Sequence, residues 1–254
     1  MTPEGAAAPF VLDKHYKRNI MSPERFARIN QMLDNRQTDL TLCLDKVHKT
    51  NNIAAVIRTA DAVGIHQIHA VWPDIEMRVS GNTASGSQQW VKTIKHYHMD
   101  EAAAQFKAAG MQILATNFSE TAVDFREIDY TKPTVVIMGN ERDGVSDEGL
   151  AIADQQIIIP MIGMVQSLNV SVASALIMYE AQRQRAQAGM YGKRTLDDAY
   201  CQTMLFEQGH PIYAKACRRK KIPYPAIDEK GQIVADETWW QRMRAPDPEA
   251  ELEG

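Results

Sequence analysis

Asn52 and Arg58 stand six apart in the stretch NNIAAVIRTADAVG, nearly two turns apart on one helix. Arg58 interrupts an otherwise apolar run, and a guanidinium there calls for an anion or a carboxylate. Two partners satisfy that need: a substrate anion, or a buried ion pair that holds the helix in place. A second polar cluster, Gly139-Asn140-Glu141-Arg142-Asp143-Gly144, follows a short apolar run. A third segment, Ile159 to Asn169, carries Gly163 and Met164 and leads into a long helix whose start is bracketed by Ser167 and Asn169. Capping accounts for one of those two polar residues, but not for the whole apolar lead-in. All three loops fall at the C-terminal ends of expected strands, where open α/β sheets bind ligands.

The common phosphate-binding signatures fail. No two glycines are two apart, so the dinucleotide fingerprint is absent. Gly81 to Gly86 and Gly139 to Gly144 have P-loop glycine spacing, but the position that needs lysine holds Ser87 in one and Val145 in the other. His96 and His98 flank Tyr97 and would share one face of a strand, yet no third ligand is near, so no metal site is expected. Cys43, Cys201 and Cys217 form no CxxC pair, which points to neither a disulfide framework nor a zinc site.

The elements that must position these residues follow from periodicity. Ser22-Pro23-Glu24 is a helix start, with a serine N-cap, a proline at the first helical position and an acid in the first turn. Phe26, Ile29, Met32 and Leu33 continue it as a basic amphipathic helix over 23–36. Strands are expected at 40–47, 65–72, 111–117, 134–138 and 156–161. Helices are expected at 52–63 (closed by Gly64), 100–109 (stopped by Gly110), 147–153 and 169–188. Buried apolar strands separated by helices imply a parallel sheet covered on both faces. The expected organisation is a loose extension over 1–20, the basic helix over 21–38, one α/β domain over 39–190, and a C-terminal extension over 191–254.

Hydrophobic residues make up 44% of the 254-residue chain and charged residues 24%, which excludes bulk disorder. No apolar run is long enough to span a bilayer and no signal peptide is visible, so a reduced, cytoplasmic protein is expected. The net charge of −4 hides a division: residues 13–36 are net +3, residues 183–221 net +6 and residues 222–254 net −5. The two basic segments are either a phosphate-binding surface or solvated helical faces.

The segments NNIAAVIRTADAVG, IMGNERDGVS and IIPMIGMVQSLNVSVASALIMYEAQRQR resemble the three motifs of the SPOUT methyltransferases, and most closely those of the TrmH-type tRNA (guanosine-2′-O-)-methyltransferases. The resemblance covers roughly residues 20–243. It implies an α/β fold with a deep C-terminal trefoil knot, a homodimer, and S-adenosyl-L-methionine as methyl donor. It further implies a tRNA substrate methylated on a D-loop guanosine ribose, at position 18 of the tRNA. Asn52 and Arg58 match the first motif, Glu141 the second, and Ser167 and Asn169 the third, together the expected catalytic set. The donor would lie around Thr116, Gly139, Ile159, Met164 and Leu168. Arg25, Arg28 and Arg36 match basic positions of the family's tRNA-binding N-terminal helix, and Arg183, Arg185, Lys193 and Arg194 those on the C-terminal side. An rRNA 2′-O-methyltransferase of the same fold and a non-catalytic RNA-binding knot protein are the alternatives. No membrane and no metal enter this reading. The helix from Asn169 is apolar on more than one face, so one face is expected to be buried against a second copy, with Met178 pointing outward.

Overall fold

A computed structural model describes residues 21–72 and 86–246. The extension over 1–20, the glycine-spaced stretch as far as residue 85 and the last eight acid-rich residues lie outside the described residues. The chain divides into two compact units, residues 34–195 and a second made of the N-terminal helix with the segment from residue 196 onward.

The larger unit is built on a parallel sheet. Its strands are β1 (Leu40–Asp45), β2 (Gln67–Val71), β3 (Lys92–His96), β4 (Gln112–Thr116), β5 (Val123–Asp124), β6 (Thr134–Met138) and β7 (Gln155–Ile158). They lie in the order β3-β2-β1-β6-β4-β7-β5, every pairing parallel. The alternation of strand side chains splits the core into two layers. Leu40, Leu42, Leu44, Leu114, Val136 and Met138 face α2 (Thr50–Ala62) and α5 (Val170–Gln187). Cys43, Ile113, Ala115, Val135 and Ile137 face Met99, Ala102 and Phe106 of α3 (Met99–Ala108), with Leu150 and Ile152 of α4 (Asp147–Ile152) packed against that layer. Cover on both faces is why these strands read as apolar runs rather than alternating ones.

Helix ends follow their caps. Gly64 and Gly110 adopt positive φ just beyond α2 and α3, as their positions after the helical runs require. Gly64 has a second constraint, since an added Cβ would meet the Asn35 carbonyl oxygen at 2.6 Å. Three sequence expectations are corrected. β3 and the two-residue β5 lie outside the strands expected from sequence. His96 and His98 do not share a face: His96 ends β3, buried against His69, while His98 is the exposed N-cap of α3. Met178 of α5 is fully buried in the core rather than turned outward.

The smaller unit contains α1 (Pro23–Asp34, whose last residue belongs to the larger unit), α6 (Asp198–Gly209), α7 (Pro211–Lys220), the hairpin of β8 (Ala226–Ile227) and β9 (Ile233–Val234), and α8 (Glu237–Arg244). Phe206, Tyr224, Tyr213, Trp239 and Trp240 form its aromatic centre. Arg25 of α1 donates to the Gln208 carbonyl of α6 from two guanidinium nitrogens, at 3.0 and 2.8 Å.

Candidate active site

β6, β4 and β7 are adjacent in the sheet, so the loops at their C-terminal ends converge. Between them lies a cavity of about 410 Å³, lined by Thr116, Asn117 and Phe118 after β4, by Gly139 to Gly144 after β6, and by Ile159, Met161 and Gln166 to Leu168 after β7. Its walls are locally fixed. The Asn140 side chain accepts the backbone N–H groups of Arg142 and Asp143 at 2.9 and 2.8 Å, which closes the second loop into a tight turn. Gly139 admits no side chain, because a Cβ there would meet Gly144 and Val145 backbone atoms at 1.9 to 2.2 Å. Asn117 and Ser119 both donate to Gln156, at 3.0 and 2.6 Å, and tie the first loop to β7.

Beside this cavity three expected site residues meet. The Asn52 side-chain amide donates to Glu141, and Asn52 Oδ1 accepts from Asn169 Nδ2 at 3.2 Å. Asn169 is also the N-cap of α5, its Oδ1 accepting the Ser171 N–H at 2.9 Å. One asparagine therefore fixes both the helix start and the orientation of Asn52. Lys49, at the N-cap of α2, lies 3.7 Å from Glu141. Residues 117 positions apart in sequence are joined here because α2 and α5 pack side by side.

Arg58 does not join this network. It lies on the exposed side of α2, and among the described residues it makes no ion pair, so a buried pair holding the helix is excluded. Thr116, Gly139, Ile159 and Leu168 line the cavity as expected, and so do Glu141 and Ser167. Met164 does not: it is 99% exposed, at the tip of the loop after β7.

The basic set divides in two. Arg36 is buried, donating to Asp61 at 2.6 Å and to the Ile65 carbonyl at 2.8 Å. Arg185 is likewise buried and donates to the carbonyls of Tyr130 and Lys132 and to Gln37 and Asp39. Neither is available to a polyanion, and both tie loops of the larger unit together. Arg28 and Lys193 are exposed, Arg183 is exposed and paired with Glu180, and Arg194 is paired with Asp34 at 2.7 Å. Phe118 and Arg142, two exposed residues of the cavity wall, are not among the site residues expected from sequence, although Arg142 lies in the second polar cluster. The only signal for the first was a lone aromatic residue inside a polar loop.

A model of the SpoU rRNA Methylase family matches residues 39–179, and one of the SpoU rRNA methylase C-terminal region matches residues 183–236. The chain is 57% identical to the tRNA (guanosine(18)-2′-O)-methyltransferase of Escherichia coli (strain K12) over 227 residues, which is 89% of this chain and 99% of that protein. Its structure is similar to that of the A. aeolicus TrmH/SpoU tRNA modifying enzyme, with a TM-score of 0.69 and 42% identity over 74% of this chain and 96% of that one. It is also similar to the AdoMet-bound rRNA methyltransferase from Sinorhizobium meliloti, with a TM-score of 0.54 and 31% identity over 60% of this chain and 59% of that one. A polar network anchored on Asn52, Glu141 and Asn169 beside a three-loop cavity thus coincides with family-wide similarity along nearly the whole chain, and the chain belongs to the SpoU methylase family, in the TrmH-type branch of the SPOUT methyltransferases.

Proposed function

We propose that this chain transfers the methyl group of S-adenosyl-L-methionine to the ribose 2′-hydroxyl of a D-loop guanosine, position 18 of tRNA. The observation that carries the reading is the cavity at the ends of β4, β6 and β7 with the Asn52–Glu141–Asn169 network beside it. The name of the Escherichia coli relative supports the substrate. The cavity fits the donor: its volume is that of a small-molecule site, and its wall combines apolar side chains with the close-packed backbone at Gly139. Thr116, Gly139, Ile159 and Leu168 would hold the donor. When bound, it supplies the methyl group as an electrophile on a sulfonium.

The chain's own residues have to align the acceptor and raise its nucleophilicity. Asn52, held from both sides, orients the ribose. Glu141 and Asn169 keep it in place, and Ser167 lines the same cavity. Arg58 is a poor proton acceptor, because its guanidinium stays charged in proteins. Its role in this reading is electrostatic, stabilising negative charge that develops on the 2′-oxygen and holding a nearby phosphate.

The acceptor side is completed by a second copy. Val172, Leu176 and Tyr179 form one exposed stripe on α5, and Ile162 and Val165 are exposed on the loop before it. Two-fold pairing would bury this surface. The segments after β6 and β7 are read as the strands of a trefoil knot. Arg25, Arg28, Arg183, Lys193 and Arg194 are the positions through which the tRNA backbone would be held, and cytoplasmic location follows from that substrate. Among the described residues no helix is long and apolar enough to cross a membrane, and no acid, histidine and cysteine cluster could hold a metal.

The test is incubation with labelled S-adenosylmethionine and either total tRNA or total rRNA, followed by nucleoside mapping. Label recovered as 2′-O-methylguanosine in the tRNA D-loop is the expected result. Label in rRNA, or none in tRNA, would overturn the reading.

A further inference from the structure

The cavity's size sets a problem for a two-substrate reaction. At about 410 Å³ it lies toward the small end of the range for single small-molecule sites. A nucleoside-bearing donor fills it, so the acceptor nucleotide must be met at the mouth. Two side chains there are bound weakly or not at all among the described residues. Phe118, on the loop after β4, is 83% exposed, and among the described residues it stacks on no other ring. Arg142, on the loop after β6, is 92% exposed, and its ion contact is a long one of 3.7 Å, to the also exposed Asp143. An ion pair of that kind contributes little. Single exposed aromatics are common on protein surfaces, and exposure alone would mean nothing. What sets Phe118 apart is that it shares the wall of the reaction cavity with Gly139, Glu141 and Ser167.

We infer that Phe118 and Arg142 form the acceptor clamp, in which the Phe118 ring stacks on the target base drawn out of the tRNA fold and the Arg142 guanidinium holds an adjoining phosphate. This rests on the tRNA methyltransfer reading above. The chemistry is complementary to such a partner. A base removed from its stack loses favourable contacts with its neighbours, and an aromatic face at the mouth restores them. A mobile guanidinium pairs with phosphate bidentately without reading sequence. Both loops are anchored at their bases, by Asn117 and Ser119 on Gln156 and by the Asn140 turn, while their tips stay open to solvent. That is the arrangement expected of a clamp whose other half is the substrate. Stacking tolerates any base, so the clamp supplies grip and leaves the choice of guanosine to other contacts.

The experiment pairs steady-state methylation of a tRNA transcript at saturating donor with calorimetry of donor binding. F118A should lower kcat/KM for tRNA about 10-fold or more while leaving donor Kd unchanged, and F118Y or F118W should restore most of the loss. R142Q should make the dependence of log tRNA affinity on log salt shallower by about one unit, and R142K should retain it. Three results would overturn the clamp: donor affinity falling in parallel in F118A, which moves the ring onto the donor; unchanged kcat/KM in F118A; or dissociation of F118A in light scattering, which makes the ring a contact between copies. A wild-type chain that labels no tRNA would remove the functional reading, and the clamp with it, before any variant is made.

Discussion

At the scale of single residues, the site separates a held group from a free one. Asn52 is buried and bonded on both sides, and Arg58, six residues on, projects from the exposed side of the same helix. The two should therefore fail differently. Arg58→Ala should nearly abolish turnover with donor affinity intact, because Arg58 touches none of the cavity wall. Asn169→Ala should lower both turnover and donor affinity, since it releases Asn52 and the first turn of α5 together. Donor calorimetry beside single-turnover rates checks this division, and an Arg58 variant that loses donor binding would refute it. A different residue pair sets acid stability. His69 and His96 are buried, stacked, and joined at 2.9 Å between ring nitrogens. Burial, with the neighbouring His96, pushes the His69 pKa down to about 4, and burial lowers that of His96 as well. The unfolded chain binds a proton near pH 6.5 that the folded chain refuses until about pH 4. The His69 contribution should thus be fully present above pH 6.5 and be lost, on the order of 3 kcal/mol, as pH drops toward 4. Urea midpoints across that window measure it, and His69→Gln should flatten the slope.

At the scale of elements, α5 performs two tasks that its sequence does not keep apart. Ile177, Met178 and Ala181 are buried against the sheet, whereas Val172, Leu176 and Tyr179 are left as an exposed stripe. Leu176→Glu should therefore yield folded monomers with little activity, by light scattering and far-ultraviolet circular dichroism. Met178→Glu should fail to fold, because it places a charge in the core. A fully active Leu176→Glu monomer would show that the stripe needs no second copy. The loop after β6 makes a sharper case of backbone control. Its first glycine has no room for a methyl group, so the turn that carries Glu141 depends on that one position.

At the scale of the whole molecule, local charge outweighs the net value of −4. Of the three N-terminal arginines, Arg25 and Arg28 are exposed and Arg36 is paired with Asp61 inside the fold. Charge removal at Arg25 and Arg28 should make the dependence of log tRNA affinity on log salt shallower by up to ~2 units, with the rate at saturating tRNA unchanged. Arg36→Gln should leave that slope unaltered and instead lower thermal stability, because it strands Asp61 and the Ile65 carbonyl. Filter binding over a salt series and thermal melts separate the two classes.

Sequence by itself determined the alternation of strand and helix, the parallel and doubly covered sheet, and two of the three loops that build the cavity, those after β6 and β7. Those features rest on local periodicity and on the backbone demands of Gly64, Gly110 and the caps, all legible within a few residues. β3 is not legible because Lys92 to His96, at the sheet edge, holds exposed lysines at 92 and 95 around half-buried Thr93 and Ile94, without the apolar run of a central strand. Only the tertiary structure decided which charged groups face solvent. Arg36 and Arg185 look no different in sequence from Arg25 and Arg183, since burial is set by what packs from distant elements: Asp61 and the Ile65 carbonyl for one, Asp39 and the Tyr130 carbonyl for the other. The same holds for Met178 against Leu176, whose fates depend on how α5 is rotated over the sheet. Phe118 and Arg142, too, become neighbours of one cavity only because β4 and β6 lie side by side, a pairing of strands that no local pattern encodes.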